Sequence, residues 1–215
     1  MGSTRLPGKV LRPIGHLPLL GHVLGRLALS RHKIIVVVAT STLHQDDAIA
    51  AYCETAKVSC FKGSEQDVLD RYFKCAKKHG FSHIVRLTAD NPFTDIVELD
   101  RLIDLHLLQG NAFTHSFPQL PIGVGAEIFS FEALKRSWLE GQAPHHREHV
   151  DEYLLENPQI FKTGQLQIPP AKQSPGLRLT VDTEEDWRKA SSLLQLCESS
   201  WLTTEHIIGL CSASA

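Results

Sequence analysis

The chain has 215 residues, of which 42% are hydrophobic, enough for one sizeable core. Lys and Arg together number 22 and Asp and Glu 24, a formal net charge of −2. No global basic field therefore draws the protein to nucleic acid or to a membrane surface, and any anion site has to be local.

The chain opens on Met1-Gly2-Ser3-Thr4-Arg5-Leu6-Pro7-Gly8-Lys9. Backbone N–H groups of such a loop can point at polyphosphate oxygens, with Arg5 as a fork and Lys9 as a point charge. A disordered basic terminus is the plainer reading of the same residues. Arg, Pro, Gly and His interrupt residues 1–30, so no secretory apolar region is present, and Leu6 stands where a myristoylation signal needs Ser or Thr. The longest aliphatic run, Ile34–Ala39, is too short to span a bilayer. The expected location is the cytoplasm, with neither membrane nor nucleic acid as partner.

Lys33–Thr40 (KIIVVVAT) is a continuous β-branched run and predicts a strand buried on both faces of a parallel sheet. Asp46–Lys57 has helical spacing, with Ile49, Ala50 and Cys53 on one face. A short strand follows at Val58–Phe61, then a turn at Gly63-Ser64, with Ser64 expected to cap a helix through Lys78 that Gly80 ends. His83–Thr88 predicts the next strand, Asp90-Asn91-Pro92 a loop, and Asp95 the cap of a helix to about Leu108 closed by Gly110-Asn111. This alternation predicts a three-layer α/β domain with a mainly parallel sheet. Ligands in such sheets bind beyond the carboxyl ends of the strands, where Thr40-Ser41 and Ala89-Asp90 stand.

From Ala112 the segments shorten and Pro becomes frequent. Ala126–Ser130, Gln165–Ile168 and Leu177–Val181 predict strands, and Phe131–Leu139, His145–Glu156, Glu184–Cys197 and Thr203–Cys211 predict helices. One domain over 1–215 is expected, with halves 1–111 and 112–215, the second completing the domain and supplying a substrate-facing wall. The five cysteines (Cys53, Cys60, Cys75, Cys197, Cys211) have no close pairing and an odd count, which fits reduced thiols, the first three in core positions.

Asp90 directly follows a strand and can hold Mg²⁺ beside phosphates or simply make an Asx turn. Asp182 ends a strand and can be a second metal ligand, with Asp182 or Thr183 capping the helix that follows. Glu184, Glu185 and Asp186 lie in that helix's first turn, where its dipole alone favours them. His145 and His149 are i,i+4 neighbours able to hold Zn²⁺, but no further ligand cluster completes a site, and Arg147, Glu148 and His149 better suit an anionic pocket. The remaining histidines are scattered.

Five segments in this order resemble one family: residues 1–9, Gly-Ser-Glu-Gln-Asp-Val-Leu-Asp-Arg-Tyr at 63–72, Arg-Leu-Thr-Ala-Asp-Asn-Pro at 86–92, Arg-Glu-His-Val at 147–150 and Arg-Leu-Thr-Val-Asp at 178–182. They resemble the cytidylyltransferases of spore-coat polysaccharide type, relatives of the enzymes that make CMP-activated 3-deoxy-octulosonate and acylneuraminate. The resemblance implies a nucleotide-diphospho-sugar transferase fold (GT-A-like) in which a sugar hydroxyl attacks the α-phosphate of CTP and pyrophosphate leaves. It implies that Arg5 and Lys9 hold the triphosphate with Gly2, Ser3 and Thr4 lining it, and that Asp90 and Asp182 bind Mg²⁺. By the same carry-over Thr40, Ser41, Arg71 and Ala89 face the nucleotide, and Glu127, Arg147, Glu148 and His149 the sugar. A homodimer is in keeping with the family.

The family's loop is preceded by a strand and a Gln-Ala-Arg-like segment, whereas here Met1 takes the Met position of the motif. The expectation is a sheet without its first strand, with unpaired neighbours and a slot in the core. A late start, a shortened remnant or a product without activity would each account for it, and the last makes a non-catalytic partner protein the alternative. A glycosyltransferase of similar fold is disfavoured, since no Asp-x-Asp motif is present.

Overall fold

The computed structural model describes residues 1–196 and 201–213, so the expectation for Cys197 lies outside the described residues. The 1–9 loop leads into a 3-10 turn at Lys9–Leu11, a small hairpin of β1 (Pro13–Ile14) and β2 (Leu17–Pro18), and helix α1 (Leu19–Leu27). Then come β3 (Val37–Ser41), α2 (Asp47–Thr55), β4 (Ser59–Gly63), α3 (Val68–His79), β5 (His83–Arg86) and α4 (Ile96–Gln109). The second half holds β6 (Phe113–His115), β7 (Glu127–Ser130), α5 (Phe131–Glu140), α6 (Pro144–Glu148), α7 (Glu152–Glu156), β8 (Thr163–Gln165), α8 (Glu184–Gln195) and α9 (Thr204–Ala213). Among the described residues no helix is long and apolar enough to cross a membrane.

The strands form a mixed α/β arrangement. β3 pairs with β4 in parallel, and β6 with β8 in parallel, while β7 lies antiparallel to both β5 and β6 in the order β5-β7-β6-β8. Successive side chains leave opposite faces of a strand. Val85 and Ile128 accordingly pack toward α4, α8 and α9, with Leu99, Leu102, Leu193 and Ile207. Their neighbours Ile84 and Phe129 pack the other way, with Leu69, Phe73, Leu134 and Leu154 of α3, α5 and α7. This gives the three layers. Leu177–Val181 is a segment rather than a named strand: a single parallel bridge joins Ile122 to Arg178, and Val181 N–H donates to Asp90 O at 2.9 Å.

Local chemistry explains most boundaries. Asp95 accepts from Glu98 N–H at the start of α4, and Gly80 and Gly110 take the left-handed conformation (φ 68° and 60°) that ends α3 and α4. The α3 cap is Asp67, not Ser64. Its carboxylate accepts from Asp70 N–H, while Ser64 Oγ accepts one turn earlier, from Asp67 N–H. His145–Glu156 is two helices rather than one, because the chain turns extended at His149 (φ −113°, ψ 114°). Thr183 caps α8 through a reciprocal pair with Asp186. Deeper in the fold, Lys172 ties α4 to the segment before α8, with its Nζ 2.9 Å from Asp95 and 3.0 Å from Glu98.

The sheet is interrupted between β3 and β5. Neither strand bonds the other, and a cavity of about 870 Å³ separates them, lined by Val37 and Val38 on one side, Ile84 and Val85 on the other, and Leu20 and Leu99 from the flanking helices. Both strands run toward the 1–9 loop. β3 ends at Ser41, which shares Asp46 with the Met1 amino group, and β5 leads to Asp90, which binds Lys9. A strand entering Met1 would run through this gap, parallel to both neighbours. The gap also corrects the expectation for the β-branched run. Only its end pairs, from Val37, and it is not buried on both faces: Ile35 is 71% exposed, and Ile34 and Val36–Val38 are half-buried, because among the described residues one flank of the run has no partner strand.

Candidate active site

Three distant segments meet at Lys9. Gly8 adopts φ 71°, a left-handed turn that glycine makes without steric cost, and starts the 3-10 turn that aims Lys9 inward. Lys9 is only 9% exposed. Its Nζ donates to Asp90 Oδ2 at 2.8 Å, to Asp182 Oδ1 at 2.7 Å and to the Val181 carbonyl at 2.8 Å. The other oxygen of Asp182 accepts from Arg178 Nη2 and lies 3.3 Å from Arg5 Nη2. Burial pushes the Asp182 carboxyl up, but Lys9, Arg178 and Arg5 together hold it below the usual carboxylate range. Two carboxylates and a carbonyl around one positive centre are the hard-oxygen set that suits Mg²⁺, so the donors present fit that ion.

The loop itself is held at both ends. The Met1 amino group donates to Asp46 Oδ1 at 2.6 Å. Burial opposes the charge on Asp46, yet that contact together with the Thr40 and Ser41 hydroxyls brings its pKa down to about 2. Thr40 and Ser41 thus stand at the carboxyl end of β3, as the sequence suggests, with their hydroxyls given to Asp46. Three residues past the 3-10 turn's start, Arg12 makes a two-point contact with Glu184 and stacks 3.8 Å over Trp187, clamping the loop to α8. Glu184 is accounted for by the helix dipole in the sequence, and its pairing with Arg12, 172 positions away, leaves no local signal. Asp46 is missed for a similar reason, since it reads as an ordinary helix start.

Of the remaining loop residues, Leu6 is buried in the core and the others lie open to solvent or half-buried. Gly2, Thr4 and Arg5 are exposed, and Ser3 Oγ accepts from Leu6 N–H at 3.2 Å. Gly2 passes close to Gln45, where a Cβ would meet Nε2 at 3.0 Å. Ala89 is half-buried beside Met1, Val38 and Leu20. Arg71 lies against Gly63 and donates to the Ser64 carbonyl at 2.6 Å.

The second-half residues separate into two groups. Arg147 is drawn away from the open site, since it donates twice to Asp67 Oδ2 and also to the Trp138 carbonyl at 2.9 Å. The expected Arg–Glu–His group does not act together, because Glu148 and His149 are exposed at the edge of the cavity while Arg147 points into the protein. The i,i+4 histidine pair also fails to form. His145 Nε2 contacts Glu156 Oε1 at 2.8 Å and His146 Nε2 contacts Oε2 at 2.7 Å, and His149 lies past the helix end.

Glu127 stands opposite Arg86 in the β5–β7 register and is 2% exposed. Arg86 Nη1 donates to Glu127 Oε1, and the guanidinium lies 5.9 Å over the Tyr72 ring. Glu127 Oε2 and Arg86 Nε are buried without a hydrogen-bond partner. Burial pushes the Glu127 carboxyl up to about 7, with Arg86 opposing. The folded pKa then lies above the unfolded value of about 4.3. The stabilisation from this group is therefore full below about pH 4 and falls as pH rises to about 7, by at most roughly 1.4 kcal/mol per pH unit. Glu127→Gln removes that slope. Urea midpoints at pH 5 and pH 8 test it, and an equal wild-type-to-variant difference at both pH values would count against it.

Comparison with known proteins places these residues in one family. The model of the family described as cytidylyltransferase matches residues 1–207. The chain is 38% identical over 187 residues to the uncharacterized protein MJ1063 of Methanocaldococcus jannaschii, covering 87% of this chain and 76% of that one. It is 37% identical over 200 residues to the spore coat polysaccharide biosynthesis protein SpsF of Bacillus subtilis, covering 91% and 83%. Among solved structures it superposes on a cytidylyltransferase from Leptospira borgpetersenii with a TM-score of 0.92 and 34% identity, covering 100% of this chain and 91% of that one. With its whole length matched and its loop, Asp90 and Asp182 gathered at one point, the chain belongs to the cytidylyltransferase family.

Proposed function

We propose that the protein transfers CMP from CTP to a hydroxyl of an acidic or modified sugar, with release of pyrophosphate, in the supply of activated sugars for a surface polysaccharide. The observation that carries this is the convergence on Lys9 of Asp90 and Asp182, 81 and 173 positions away, beside a glycine-bearing loop. Family membership supports the nucleotide.

The work of the chain's own residues follows from their positions. Backbone N–H groups of residues 2–4 and the cations Arg5 and Lys9 receive the triphosphate and neutralise its charge. Asp90 and Asp182 are the residues that would hold Mg²⁺, which when bound screens phosphate charge and makes a sugar hydroxyl easier to deprotonate. Glu148 and His149, both exposed, would border the sugar, while Glu127 is buried against Arg86. Alignment of the hydroxyl with the α-phosphate is the main contribution of the fold, since phosphoryl-type transfers depend on position and charge more than on covalent chemistry.

A second reading is a chain that binds nucleotide without turning it over. One experiment separates the two. Pyrophosphate release is followed with CTP, ATP, GTP and UTP against octulosonate and nonulosonate acceptors, alongside nucleotide-induced melting shifts. Release with CTP supports the transferase. A melting shift with CTP but no release with any acceptor supports the non-catalytic chain, and no response to CTP in either measurement refutes both.

A further inference from the structure

Lys9 occupies the position a divalent ion would take. Its ammonium has three N–H donors, and all three are used, by Asp90, Asp182 and the Val181 carbonyl. In this state it cannot reach a phosphate. Nor can Asp90 Oδ2 and Asp182 Oδ1 together take a divalent ion without expelling it, because the two cations would crowd the same oxygens.

The surroundings are built to survive its departure. Asp182 offers Oδ1 to Lys9 and keeps Oδ2 on Arg178 and Arg5, so its carboxylate stays anchored when Oδ1 is vacated. Asp90 is fixed through its backbone, whose carbonyl accepts from Val181 N–H at 2.9 Å. The lysine, by contrast, is a point charge on a flexible four-carbon stem. Its attachment is the first residue of a short 3-10 turn after a left-handed glycine, directly beside the loop that would receive the phosphates.

We propose that Lys9 is a resident counter-ion that the triphosphate displaces. On nucleotide binding its Nζ leaves Asp90 and Asp182 for phosphate oxygens, and the two carboxylates take a divalent cation in its place. This rests on the nucleotidyltransferase reading of the site. No bond is made or broken, and one cation exchanges for another. Metal and nucleotide then bind with positive coupling, and each strengthens the other by the same factor. Without nucleotide the site discriminates against metal, because the metal must first break three charge-assisted hydrogen bonds.

The test is Mn²⁺ binding to the full chain without nucleotide, followed by electron paramagnetic resonance. Lys9→Met is expected to bind Mn²⁺ at least tenfold more tightly than wild type, and adding Asp182→Asn to that variant should abolish the gain. Lys9→Gln, neutral but able to hydrogen-bond, is run alongside in case the methionine variant is too unstable to titrate. Melting temperatures give an independent readout: millimolar Mn²⁺ should raise that of either Lys9 variant and leave wild type unmoved. A difference below tenfold, a gain that persists without Asp182, or no binding by any of the proteins overturns the proposal. None of these outcomes depends on turnover, so failure of the pyrophosphate assay and failure of the ion exchange are separately visible.

Discussion

Asp182→Asn is expected to lower CTP-dependent pyrophosphate release about a thousandfold while leaving the protein folded. One carboxylate charge at this position answers Lys9, Arg178 and Arg5 at once. Removing it leaves Asp90 as the one carboxylate on Lys9 with Arg5 and Arg178 still nearby, an arrangement with little affinity for a divalent ion. Loss of one preorganised electrostatic contact typically costs 10²–10³ in turnover, and this change removes a charge as well as a contact. The effect on stability is small by comparison, because Lys9 keeps Asp90 and the Val181 carbonyl as partners and the Arg5 and Arg178 side chains are exposed. The α8 cap is untouched, since Thr183 and Asp186 make it without the Asp182 side chain. A pyrophosphate-coupled assay and a melting curve on the same preparation measure both parts. Turnover within tenfold of wild type would remove Asp182 from the active site.

The parts of this site that were legible in the sequence are those whose signals are local. Asp90 and Asp182 announce themselves by a carboxylate at the end of an extended segment. Their meeting at Lys9 is a tertiary fact that pattern alone does not contain. Arg147 shows the limit. On its helix it looks free to face a substrate, yet Asp67, 80 positions earlier, takes it. Nothing near either residue signals the pairing. The break at His149 is hidden for another reason. Neither Gly nor Pro marks it, and the helical spacing from His145 to Glu156 continues across it unbroken. Backbone geometry there follows from packing, since Val150 and Leu154 are buried with Phe161 in the core under α5.

The β-branched run makes the converse point. Its composition predicts a central strand, and β3 is built for that role. How far it is covered depends on its neighbours, and on the β5 side there is none among the described residues. The hydrophobic pattern thus describes the environment the residues suit, and the exposure of Ile35 measures how far the observed environment departs from it.

Six β-branched residues joined ahead of Met1 are expected to raise the melting temperature by about 10 °C. The gap between β3 and β5 offers two unpaired parallel edges and apolar walls, with Met1 at its mouth. Each apolar side chain that enters gains about 1.5–3 kcal/mol, and ordering each residue costs about 1–2 kcal/mol of backbone entropy. Hydrogen bonds to two edges add roughly 1 kcal/mol apiece. A net gain of a few kcal/mol follows, at roughly 2–4 °C per kcal/mol for a chain of this size. The Met1 nitrogen then becomes a neutral amide that still donates to Asp46, so Asp46 loses the charge that helps hold its pKa down but not its partner. An insert of the same length and composition with a central proline is the control, because proline cannot donate to a ladder in the middle of a sheet. Amide exchange at Val38 and Val85 locates the change: both should slow in the β-branched extension and neither in the proline control. Equal melting temperatures for the two extensions would show that the gap is not a strand's place. A rise confined to the β-branched form would show that β3 and β5 are held ready for a partner running between them, and that the 1–9 loop begins where that partner ends.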